Sequence, residues 1–109
     1  MITVKVLKRA DDYEGFLVSG HAGYAESGND IICAAVSALT VNAANSIEIL
    51  AGDRVEDSVL DGFLSCRFPE GLSDKGKLLM QSMILGLKQI ETDYQEPYVK
   101  VIISEVQTC

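Results

Sequence analysis

Ile31-Ile32-Cys33-Ala34-Ala35-Val36-Ser37-Ala38-Leu39-Thr40-Val41 is the most apolar run of the chain, broken only by Ser37 and Thr40. It falls short of the roughly eighteen apolar residues that indicate a membrane span. It reads as the first half of a buried helix. Ile32, Val36, Leu39, Ala43, Ile47 and Leu50 recur at spacings of three and four, the repeat of one helix face. Ala34, Ala35, Ala38 and Ala44 allow close packing beside that stripe. Asn29 or Asp30 can cap the start. Gly52 stands where a helix commonly ends on a left-handed residue.

Working outward, Ile2 to Lys8 alternates as a strand, with Ile2, Val4 and Val6 on one face. Ala10 to Glu14 reads as a turn, and Gly15 to Ser19 as a second strand completing a hairpin. Gly20 to Asn29 holds Gly20, Gly23, Ser27, Gly28 and Asn29, the composition of a loop. Beyond the helix, Arg54–Val59 and Phe63–Phe68 flank Asp61-Gly62, a strong hairpin signal. Ser73 can cap a second helix running to about Thr92. Leu79, Met83, Leu87 and Ile90 form its stripe, widened by Met80 and Ile84. Pro97 opens a last strand, Tyr98–Ser104, whose Val99, Val101, Ile102 and Ile103 predict a central position buried on both faces.

The order is therefore ββαββαβ. It predicts an α+β, two-layer fold: a mixed five-stranded sheet with both helices on one face. The 109 residues suit a single domain spanning 1–109.

Sixteen acidic against nine scattered basic residues give a net charge of −7. That argues against direct nucleic-acid binding, where phosphate contacts dominate. An acidic surface would attract a basic partner, but on charge alone the better reading is that it keeps the protein soluble. Cys33, Cys66 and Cys109 are too few and too widely spaced for a disulfide framework. The N-terminal residues alternate like a strand and lack a signal-peptide pattern. We therefore expect a reducing, cytoplasmic setting with no membrane attachment.

His21 is the single histidine, at the junction of the second strand and the loop. Cys33 follows in the first turn of the long helix. Amides at that turn point outward along the axis and carry partial positive charge, which favours thiolate over thiol. An imidazole brought beside the sulfur would take its proton, and the same amides could hold a developing oxyanion. Without such convergence, Cys33 is a small core residue and His21 a turn residue. Asp30 can cap the helix or orient His21. Ser37, one turn after Cys33, can bond His21, the substrate or its own helix. Cys66 alternates with Ser65 and Arg67 and reads as packing. No close Cys-x-x-Cys or His-x-x-x-His pair suggests a metal site.

Gly20-His21-Ala22, the glycine-bearing loop and Asp30-Ile31-Ile32-Cys33-Ala34-Ala35-Val36-Ser37 resemble the bacterial ribosomal-processing cysteine protease family. The likeness extends over essentially the whole chain. It implies an endopeptidase that removes the N-terminal extension of the twenty-seventh protein of the large ribosomal subunit, cutting after an apolar residue. It matches Cys33 to the family nucleophile and His21 to its base, with Asp30 and Ser37 in support. It implies a substrate-ordered loop, here including Gly20, Ala22, Gly23, Tyr24 and Gly28, with an apolar groove near Tyr24. It also implies a homodimer and no cofactor. The competing expectations are a non-catalytic ribosome-associated assembly factor and a thiol acyl transferase or esterase.

Overall fold

The computed structural model describes residues 1–20, 31–60, 63–95 and 97–106. The first two strands, β1 (Ile2–Arg9) and β2 (Asp12–Gly20), pair antiparallel with Val4 opposite Val18 and Val6 opposite Phe16. Their turn is tighter than the sequence predicts. Only Ala10 and Asp11 lie outside the strands, Ala10 in the left-handed region at φ 52°. Tyr13, expected in the turn, is instead a buried strand residue.

The first helix, α1 (Ile31–Ile49), leads to a second hairpin, β3 (Glu56–Leu60) and β4 (Phe63–Arg67). The hairpin tip, Asp61-Gly62, lies outside the described residues. The second helix, α2 (Asp74–Asp93), then returns the chain to β5 (Val99–Glu105). The sheet order is β3-β4-β2-β1-β5, antiparallel except for β1 with β5. Ile2, Val4 and Val6 of β1, Phe16 of β2 and Val99 of β5 join Ile32, Val36 and Ile47 of α1 and Met80, Met83 and Leu87 of α2 in one core. Both helices therefore cover the same sheet face, and the fold is the two-layer α+β arrangement expected.

The last strand departs from expectation: β5 is an edge strand rather than a central one. Its register sets Val99, Val101 and Ile103 beside Ile2, Val4 and Val6, so these three share the helix-covered face. Ile102 belongs to the other face, half-buried, and Ile103 is 43% exposed. The apolar run thus reflects two partly covered faces. The edge is also protected: Glu91 of α2 accepts a hydrogen bond from the Val101 amide at 2.6 Å.

The buried face of α1 is Ile32, Val36, Thr40, Ala43, Ala44 and Ile47. Leu39 is only half-buried, and Leu50 lies beyond the helix, 70% exposed. Thr40 takes the inner position at little polar cost, because its hydroxyl donates to the Val36 carbonyl at 2.8 Å. By length and composition α1 could cross a membrane; here it lies across the sheet. Gly52 has the left-handed φ of +74° just after the helix, as its position predicts. Ser73 caps α2, its hydroxyl accepting from the Gly76 amide at 3.1 Å. Asp53 in turn accepts from the Ser73 amide and hydroxyl at 3.0 and 2.9 Å, tying the end of α1 to the start of α2.

Candidate active site

Cys33 is the third residue of α1 and is half-buried, packed against the core. Ser37 follows one turn later on the same face and is exposed. No acidic residue occupies the first turn of α1. The positive end of the helix therefore acts on the sulfur without a negative side chain from the turn itself.

Cys33 and Ser37 line an apolar cavity of about 280 Å³. Val36, Thr40 and Val41 of α1 form the rest of one wall. The ends of β1 and β2 contribute Ile2, Val18 and Gly20, and the second hairpin contributes Val59, Leu60, Phe63 and Leu64. The cavity opens sideways because no helix covers β3, every residue of which is exposed. Val59 and Leu60 are 72% and 69% exposed. An extended peptide can enter there and bring a carbonyl to the sulfur.

The sequence reading expected the apolar groove near Tyr24. Tyr24 lies outside the described residues; among the described ones the groove is built by Val41, Val59, Leu60 and Phe63, which that reading passed over. Their signal was the apolar Val59-Leu60 on a strand otherwise made of Glu56, Asp57 and Ser58.

Gly20 was read as part of the loop; it is the last residue of β2, paired with Ile2. Its φ is +89°, and a Cβ there would stand 2.4 Å from the Met1 carbonyl oxygen. Only glycine fits. His21, Ala22, Gly23, Tyr24, Gly28 and Asp30 lie outside the described residues. Gly20, the neighbour of His21, nevertheless lines the same cavity as Cys33.

Cys66 contrasts with Cys33. It is fully buried, and its pKa is pushed from 9.0 to about 12, first by burial and then by the charges of Asp57 and Glu48. It is a packing residue, as its strand position predicts. Among the described residues no three of His, Cys, Asp and Glu converge as metal ligands.

A cysteine at a helix N-terminus beside an apolar cleft, on this two-layer scaffold, defines a class: a small cysteine protease. The family described as Cysteine protease Prp matches residues 1–100, and the chain belongs to it. It is 39% identical over 90 residues to the ribosomal processing cysteine protease Prp of Bacillus subtilis, covering 74% of this chain and 78% of that protein. It is also similar to the essential ribosomal processing protease Prp of S. aureus, solved in complex with a covalently linked product peptide. That match has a TM-score of 0.87 and 29% identity, over 95% of this chain and all of the other. The same enzyme with a substrate peptide matches at a TM-score of 0.77 and 27% identity, again over 95% and 100% of the two chains.

Proposed function

We propose that this chain removes the N-terminal extension of the twenty-seventh large-subunit ribosomal protein, with Cys33 as nucleophile and His21 as general base. The observation that carries the reading is the shared cavity of Gly20 and Cys33. The chain leaves β2 at Gly20, which lines that cavity, and enters α1 at Ile31, two residues before Cys33, so the segment holding His21 is anchored beside it at both ends. The names of the relatives, ribosomal processing protease, supply the substrate class.

The chemistry follows from position. His21 takes the thiol proton, and the Cys33 sulfur attacks the scissile carbonyl. Amides at the start of α1 stabilise the oxyanion. His21 then protonates the leaving amine, and water resolves the acyl-enzyme. The apolar cavity takes the side chain that precedes the cut. Asp30 orients His21 or caps α1, and Ser37 supports from one turn away.

A homodimer fits the start of α1, where Ile31 is 58% exposed and outside the cavity lining. A reducing cytoplasm would keep the thiol available. The test is cleavage of the extended precursor, with the product identified by mass. Loss of cleavage in both Cys33→Ala and His21→Ala is expected. Stoichiometric binding of the precursor without cleavage would instead favour an assembly factor.

A further inference from the structure

The groove beside Cys33 changes character along its length. Cys33, Ser37, Val41 and Glu48 are spaced by four, four and seven, and so fall on one stripe of α1. Across from them runs β3, where Val59 and Asp57 share a face, opposite Leu64 and Cys66 of β4. Val41 and Val59 belong to the cavity itself. Glu48 and Asp57 lie further along the same seam, and both act on the buried Cys66 sulfur beneath it. Among the described residues neither carboxylate is ion-paired: the two pairs formed are Arg9–Glu14 and Arg54–Glu70.

We propose that the seam between α1 and β3 holds the substrate as an extended peptide, its apolar side chain beside Cys33 and a basic side chain at Glu48 and Asp57. The inference rests on the reading of Cys33 as a peptide-cleaving nucleophile and adds a second specificity element to it. Two unpaired carboxylates continuous with an apolar, exposed strand call for a partner that is apolar, then cationic. Cys33 and Glu48 are separated by about 22 Å along the helix axis. An extended chain covers that distance in about seven residues. The basic residue therefore sits roughly six to eight positions from the apolar one. The overall charge of −7 acts in the same direction, drawing a basic chain toward the groove.

The experiment uses short peptides with phenylalanine before the scissile bond and a single lysine moved stepwise along either side, each beside a glutamine control. The wild-type chain is expected to prefer the lysine peptide, at the right spacing, by roughly twofold to fivefold in kcat/KM, carried by KM, the size that exposed charge pairs sustain. Raising the salt to about 1 M, where the screening length falls to about 3 Å, should erase the preference. The E48Q/D57N double variant should show a lysine-to-glutamine ratio near one at low salt. Equal cleavage of both peptides by the wild type, or a preference that survives in the double variant, overturns the inference. The salt series on the wild type decides the matter even if the double variant folds poorly. A wild-type chain that cuts none of the peptides sinks the peptidase reading itself, and the inference with it.

Discussion

The Cβ position of Gly20 lies 2.4 Å from the Met1 carbonyl oxygen, so β1 and β2 close on each other immediately before His21. Gly20→Ala must push the two strand ends apart and strain a backbone held at φ +89°. The strain is worth about 1–3 kcal/mol. Because Gly20 lines the cavity that holds Cys33, we expect the displacement to reach the site. Measured kcat/KM on the precursor should fall at least tenfold, while circular dichroism stays native-like. Full activity in Gly20→Ala would mean that His21 does not depend on this strand end.

Cys33 and Cys66 should differ sharply toward iodoacetamide. At neutral pH the Cys33 sulfur, at the positive end of α1, should react faster than an ordinary thiol. Cys66, buried in the core, should react only after unfolding. Peptide mapping by mass separates the two, and His21→Ala should slow the Cys33 reaction. Equal labelling of Cys66 in the folded protein would contradict its buried placement.

The raised pKa of Cys66 has a consequence for stability. The folded chain keeps this thiol protonated up to about pH 12, whereas the unfolded chain ionises it near 9.0. Between those values the unfolded state binds fewer protons, so stability falls as pH rises. Below pH 9 the contribution is intact. Denaturant melts should show a decline above pH 9 that is flatter in Cys66→Val. Identical slopes for the two chains would exclude Cys66 as its source.

Val59→Asp places a charge in the cavity wall without touching Cys33 or His21. KM for the precursor should rise roughly tenfold, consistent with about 1–3 kcal/mol for an unpaired polar group set against an apolar ligand. The alkylation rate of Cys33 should stay at the wild-type value. A change in kcat alone would move Val59 out of the binding groove.

Ser73→Ala removes the hydroxyl that accepts from Gly76 and donates to Asp53. Loss of such a cap costs about 1 kcal/mol, which for a domain of this size lowers Tm by roughly 4–8 °C. Calorimetry on the variant checks it.

The helices were the legible part of this fold. Ile32, Val36, Ala43 and Ile47 announced the inner face of α1, and Ser73 and Gly52 marked ends that capping chemistry fixes locally. Thr40 was missed because its polarity hides a hydroxyl satisfied by its own helix. The placement of β5 was not legible. Four apolar residues in five read the same whether a strand has two neighbours or one, and only the crossover from α2 decides that. At the site, the chemistry of Cys33 could be argued from its seat in the helix. The wall of Val41, Val59 and Phe63 could not, since it forms only when the second hairpin pairs with β2 and comes alongside α1.

Glu91 gives the sheet an asymmetric margin. At β3 the border carries its own charges, Glu56 and Asp57, whereas at β5 a carboxylate borrowed from another element latches the outward amide of Val101. The latch endures only while the closing turns of α2 stay wound. Deuterium uptake at Val101 should therefore keep time with fraying of that helix rather than with the opening of its neighbour strand. A segment far from the catalytic cleft would thereby govern whether this flank of the molecule is shut or becomes a template for another chain.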